Sequence, residues 1–172
     1  MIIGIFGQTG SGKTYTIKRI IAQTKRKILV IDKLLSFSDF EKLQIVYKIE
    51  NLRVGKNYLI IPADNDIDNL IKYIINFENY LIIIDELALF RQGIKFYSWL
   101  TLHRHLRQTI VYATQRPVSF TAQSRCIFDL TNQYIFCKTT QDSNLLPFKF
   151  LDKQDKRKIR ELIPPNFISF QF

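Results

Sequence analysis

Gly7-Gln8-Thr9-Gly10-Ser11-Gly12-Lys13-Thr14 follows directly on the apolar run Ile2-Ile3-Gly4-Ile5-Phe6 and leads into Ile17, Ile20 and Ile21, which recur at helical spacing. The order is strand, glycine turn, helix, the context that gives the pattern GxxxxGK[ST] its meaning. Three of the chain's 6 glycines fall in it. A backbone without Cβ atoms can curl until successive N–H groups face inward and cradle an anion, and the helix N-terminus adds partial positive charge. Gly7, Gln8, Thr9, Gly10, Ser11, Gly12, Lys13, Thr14 and the adjoining Tyr15 are therefore the expected nucleotide-binding set. Lys13 is expected to reach the β- and γ-phosphates of ATP, and the Thr14 hydroxyl to ligate Mg2+.

Working outward, further apolar runs read as strands: Lys27 to Asp32, Asn57 to Ile61, Leu81 to Asp85, Thr109 to Thr114 and Gln133 to Lys138. Continuous apolar runs indicate a sheet covered on both faces, as parallel strands are. Between them, helical spacing predicts a helix within Asp64 to Phe77, with Ile67, Leu70, Ile71 and Ile74 on one face, and another over Tyr97 to Arg107. Another is expected over Lys153 to Leu162, starting after Asp152 and stopped by Pro164-Pro165. Ser38 and Glu41 have the spacing of a capping box, so a short helix and connection are expected within Ser36 to Asn51. Phe167 to Phe172 is a candidate closing strand. No repeat or linker interrupts the chain, and residues 1–172 are expected to form one α/β domain.

The strand Leu81-Ile82-Ile83-Ile84 delivers Asp85 and Glu86 to its C-terminal end, where open α/β sheets bind ligands. Neighbouring strand residues point to opposite faces, so Asp85 is expected to hold Mg2+ through water while Glu86 polarises the water attacking the γ-phosphate. An acidic strand-to-helix cap is the plain alternative for either residue. A carboxylate that activates water would harm a small-molecule kinase, so hydrolysis is favoured over transfer. Gln115, ending Thr109 to Gln115, can accept from the lytic water and donate to the phosphate. Arg104, Arg107, Arg116 and Arg125 flank that strand, and one supplied by a neighbouring subunit can stabilise transition-state charge. Arg107 and Arg125 are the favoured pair. The fold class expected is an α/β P-loop NTPase of the RecA/ASCE-like kind, with a central, mostly parallel β-sheet flanked by helices.

The 172 residues are 47% hydrophobic and 13% aromatic, which excludes disorder and a disulfide scaffold. A formal charge of +10 favours a polyanionic partner, although lysine-rich usage alone would also produce it. Lys153, Lys156, Arg157, Lys158 and Arg160 read as a solvated helix face or a nucleic-acid contact. Cys126 and Cys137 lack CxxC spacing and are expected to be buried packing residues in a reducing compartment. His103 and His105 are expected at the surface, not in a metal site. No run approaches a membrane span and no leader precedes the glycine motif, so a cytoplasmic location in a host cell, or association with a virion vertex, is expected.

GQTGSGKT, LIIIDE and HRHLRQTIVYATQRP, in this order, resemble the FtsK–HerA superfamily of DNA-pumping ATPases, especially its small viral genome-packaging members. Thr114-Gln115-Arg116-Pro117 is the most specific part, and the resemblance covers roughly residues 1 to 140. It implies an ATP- and Mg2+-dependent motor that translocates double-stranded DNA, with Gly93 to Phe96 or the loop after Pro117 as candidate contacts to the DNA backbone. It also implies a homo-oligomeric ring, pentamer or hexamer, that engages capsid or portal components. The roles it carries fall on Lys13, Thr14, Asp85, Glu86 and Gln115. Membrane segments and the winged-helix tail of the cellular pumps are missing. The HRH element and the Thr-Gln pair are also similar to zonula-occludens-toxin-like assembly ATPases of filamentous phages, so extrusion stays open beside packaging. A nucleotide kinase and a non-catalytic nucleotide-dependent adaptor are the remaining rival functions.

Overall fold

The computed structural model describes residues 1–63, 65–115 and 126–172. Among them, eight strands form one sheet: β1 (Ile2–Phe6), β2 (Lys27–Ile31), β3 (Gln44–Val46), β4 (Tyr58–Ile60), β5 (Tyr80–Ile84), β6 (Thr109–Thr114), β7 (Gln133–Phe136) and β8 (Ile168–Gln171). Their order is β3-β4-β2-β5-β6-β1-β7-β8. Every pairing is parallel except β7 with β8, so the mostly parallel sheet expected from the apolar runs is present. The helices are α1 (Lys13–Gln23), α2 (Ile67–Ile74), α3 (Ile94–Leu102), α4 (Cys126–Leu130) and α5 (Lys153–Glu161).

Burial explains why the runs are apolar at every position instead of alternating. All five residues of β1 and of β5 are buried, because both faces of the sheet are covered. One face carries Ile3, Ile5, Val30, Leu81, Ile83 and Val111 against Ile17 and Ile21 of α1. The other carries Phe6, Leu29, Ile82, Ile84 and Tyr112 against Ile67, Leu70, Ile71 and Ile74 of α2 and Phe96, Trp99 and Leu100 of α3. At about 1.5–3 kcal/mol for each fully buried aliphatic or aromatic side chain, this packing sets strand order and register.

Three expectations need correction. No α-helix forms within Ser36 to Asn51: the stretch holds turns, β3 and a one-turn 3-10 helix at Ile49–Asn51. The Asp32 carboxylate accepts from the N–H groups of Leu34 (2.7 Å) and Phe37 (3.1 Å), so the chain is fixed in a turn where the helix was expected. Ser38 donates to the Leu35 carbonyl and caps nothing. The helix expected over Tyr97 to Arg107 begins at Ile94 and ends at Leu102. His103, expected at the surface, is buried at its C-terminus, where Nδ1 lies 2.6 Å from the Leu100 carbonyl oxygen. Cys137 is a buried free thiol as expected, while the side chain of Cys126 lies outside the described residues.

The start of α3 is fixed from α2. Asp68 accepts from the N–H groups of Gly93 (3.1 Å), Lys95 (3.1 Å) and Phe96 (3.0 Å), satisfying the open end of α3 with a charge-assisted cap. Asp68→Ala should lower stability by about 1–3 kcal/mol, seen as an earlier urea midpoint at unchanged slope. A loss under about 0.5 kcal/mol would show that the cap does not hold α3.

Candidate active site

β1, β2, β5 and β6 run parallel, so the segments leaving them emerge at one edge, and the functional side chains gather there. From β1 comes the glycine loop. Gly10 and Gly12 have φ of +73° and +96°, left-handed values that only glycine adopts at little cost, and Gly12 is the N-cap of α1. The loop is tied to the strand-end segment after β7: Gln8 N–H donates to the Lys138 carbonyl (3.0 Å), and the Gln8 side-chain oxygen accepts from Thr140 N–H (3.1 Å) and hydroxyl (3.0 Å). Gly10, Ser11, Gly12, Lys13, Thr14 and Tyr15 line a cavity of about 290 Å³.

Lys13 is buried and folded back, donating to the carbonyls of Gly7 (2.8 Å) and Gln8 (3.0 Å). Burial pulls its pKa down, and the charges of Glu86 and Asp85 oppose that. Ser11 is 1% exposed, with its hydroxyl beside the Cys137 thiol. A buried ammonium bonded to loop carbonyls, beside a buried hydroxyl, is a donor set suited to a polyanion.

From β5 come Asp85 and Glu86, both buried. Asp85 stays in line, its N–H donating to the Ile31 carbonyl of β2 (3.0 Å). Glu86 does not continue the strand, so simple alternation is not what parts the two acids. Its backbone is left-handed (φ 53°, ψ 69°), a conformation costing about 1 kcal/mol or more for a non-glycine residue. That turn swings its carboxylate to the end of β6, where it accepts from the Thr114 hydroxyl (3.0 Å) and from Gln115 N–H (3.1 Å to each oxygen). Gln115 in turn accepts through Oε1 from the Thr9 hydroxyl (2.6 Å). Thus Lys13, Glu86 and Gln115, expected to act together, stand on linked segments.

Asp32, at the end of β2, is an acidic residue that sequence reasoning gave no role. It is fully buried, and its charge, after burial itself, helps push the Asp85 carboxyl up to about 6; Glu86 adds to this, while the Ser36 hydroxyl and Lys13 pull the other way. Its signal was present, since Lys27 to Asp32 ends in a carboxylate at the same sheet edge as Leu81 to Asp85. Among the described residues no cluster of His, Cys, Asp and Glu is arranged as a metal cage.

The candidate arginines separate. Arg104 and Arg107 precede β6 and so lie at the opposite edge of the sheet from the glycine loop, exposed, with the Arg107 carbonyl accepting from Arg26 (3.0 Å). Neither approaches the site of its own chain. Arg116 and Arg125 lie outside the described residues.

The family model for the central domain of the HerA helicase matches residues 2–159. The chain belongs to the HerA central-domain family. It is thereby a member of the FtsK–HerA superfamily, and as a HerA-type domain it is an NTP-hydrolysing enzyme. No curated protein sequence matches it. In fold it is similar to the genome packaging NTPase B204 from Sulfolobus turreted icosahedral virus 2 in complex with AMP. That likeness has a TM-score of 0.78 at 20% identity, over 99% of this chain and 92% of that one. The DNA-packaging ATPase B204 from Sulfolobus turreted icosahedral virus gives 0.75 at 20% identity, over 99% and 91%. The N-terminal domain of zonular occludens toxin from Neisseria meningitidis gives 0.52 at 18% identity, over 81% and 77%.

The raised Asp85 pKa makes a prediction about this HerA-type domain free of magnesium. The folded site binds the Asp85 proton more tightly than the unfolded chain does, so the stabilisation is full below about 3.8 and is lost as pH rises through about 6. Asp85→Asn should therefore raise stability at pH 7 to 8 by about 1–3 kcal/mol and flatten the fall between pH 4 and 6. Equal urea midpoints for the two proteins at pH 8 would contradict it.

Proposed function

We propose that this chain is an ATP-hydrolysing motor that translocates double-stranded DNA as a homo-oligomeric ring, packaging a viral genome into a capsid. The observation that carries the reading is the Glu86 carboxylate, held by Thr114 and Gln115 beside the glycine loop in a HerA-type domain. Clamped this way, Glu86 is positioned as the general base that takes a proton from water. Lys13 leaves the Gly7 and Gln8 carbonyls for the β- and γ-phosphates, and loop N–H groups hold the remaining oxygens. Thr14 and Asp85 are the residues that would hold Mg2+, which when bound neutralises charge on the phosphate oxygens. Gln115, bonded to both Thr9 and Glu86 segments, is placed to report whether a γ-phosphate separates them.

Transition-state charge calls for an arginine, and Arg107 at the far sheet edge serves only the site of an adjacent subunit, which favours a ring. Arg125 keeps the same proposed role. The similarity to viral packaging NTPases and the charge of +10 support duplex DNA as the polyanion moved, with portal or capsid components as docking partners at a virion vertex. Of Gly93 to Phe96, a candidate DNA contact, Phe96 is fully buried and Gly93 half-buried, while Ile94 and Lys95 are exposed. The loop after Pro117, the second candidate contact, lies outside the described residues. Lys153, Arg157 and Lys158 of α5 are exposed, a further basic surface for the DNA backbone. No described helix is long and apolar enough to cross a membrane.

Duplex DNA should stimulate ATP turnover at low salt, with the stimulation fading as salt rises. Glu86→Gln should retain ATP binding and lose turnover by about 100-fold or more. Unchanged turnover in Glu86→Gln would remove Glu86 from the chemistry. A preference for single-stranded over duplex DNA would favour the extrusion ATPase.

A further inference from the structure

We propose that the sheet edge opposite the glycine loop, where β4, β2, β5 and β6 begin, is a docking surface for the phosphate backbone of duplex DNA; this rests on the duplex-DNA reading above. Because these strands run parallel, their first residues share that edge as their last residues share the other. The segments leading into them carry Lys56 before β4, Lys25, Arg26 and Lys27 at the start of β2, and Arg104 ahead of β6, all exposed. Glu78, before β5, is the one acid among the described residues of these segments. Arg107 adds to the row but is not needed for it, so the role given to Arg107 at an adjacent subunit is independent of this surface.

The row is held together and unpaired. Arg26 Nη1 donates to the Arg107 carbonyl (3.0 Å) and to the Thr109 hydroxyl (2.6 Å), which draws its guanidinium from β2 across β5 to the start of β6. There it stands with Arg104: after burial, the charges of Arg104 and Arg26 are what push the pKa of the Met1 ammonium down. The ion pairs among the described residues join Lys18 to Asp39 and Arg157 to Glu161, so none of the cations in the row has an acid partner. Like charges fixed side by side repel one another, and a polyanion laid along them relieves that repulsion.

Spacing and chemistry select the polyanion. Neighbouring strands lie about 4.8 Å apart, so the row from β4 to β6 covers three spacings, roughly 14 Å. Duplex DNA carries one charge per about 1.7 Å of axis, so about eight phosphate charges pass over that length. Tyr58 and Tyr80, which open β4 and β5, are 1% and 2% exposed, leaving no ring there on which an unpaired base could stack. Backbone contact without stacking suits a duplex of any sequence.

The test is duplex binding by the full chain across salt, comparing wild type with Lys25→Gln/Lys27→Gln. Neither lysine belongs to the nucleotide site, so turnover without DNA should match wild type. Duplex affinity at low salt should fall about ten-fold or more, and the slope of log affinity against log salt should shrink by about two. Should that variant fail to fold, Lys56→Gln should shrink the slope by about one. An unchanged slope would overturn the surface, and so would the same loss in Lys48→Gln/Lys149→Gln, which removes as much exposed charge elsewhere. Tighter binding of single-stranded DNA or of anionic vesicles than of duplex would also overturn it. Wild type that hydrolyses ATP yet takes up no duplex would instead overturn the DNA reading, and the surface with it.

Discussion

A buried ammonium held among carbonyls and carboxylates is the constraint on which the site depends. Among the described residues Lys13 Nζ donates to the Gly7 and Gln8 carbonyls, with the charges of Glu86 and Asp85 sustaining its proton against the cost of burial. Three buried acids, Asp32, Asp85 and Glu86, stand at the same sheet edge, and their mutual repulsion is what lifts the Asp85 pKa beyond the effect of burial alone. Such an arrangement is costly by itself and becomes favourable when a polyanion and a divalent cation enter together, each matching charges already fixed in place.

The parallel sheet is what makes that concentration of charge possible. Strands β1, β2, β5 and β6 end at one edge, so four short segments close together in space carry the glycine loop, Asp32, the acidic pair and Gln115. Hydrogen bonds then join the segments crosswise: Thr9 to Gln115, Gln115 and Thr114 to Glu86, Gln8 to Thr140. These bonds tie the tip of the glycine loop to the end of β6.

Much of this was legible in the residues. The strands were, because a sheet covered on both faces requires unbroken apolar runs such as Leu81 to Ile84, and the glycine loop was, because its backbone demands glycine at Gly10 and Gly12. The turn after Asp32 was not: Ser38 and Glu41 have capping-box spacing, but the Asp32 carboxylate captures the N–H groups of Leu34 and Phe37 first. Strict alternation placed Asp85 and Glu86 on opposite faces, whereas a left-handed residue separates them, a backbone choice that side-chain pattern does not encode. The start of α3 depended on Asp68, which is distant in sequence, and the burial of His103 on how α3 packs. Asp32 was visible as a strand-end acid, yet its meaning appeared only once β2 stood beside β5.

The central claim is that the Lys13 ammonium exchanges its loop carbonyls for the phosphates of MgATP. Calorimetric titration of wild type and Lys13→Ala with MgATP tests it most directly. Wild type should show saturable uptake at one site per chain that vanishes when magnesium is chelated, and Lys13→Ala should show none while melting as a folded protein. Equal uptake by the two folded proteins would contradict the account.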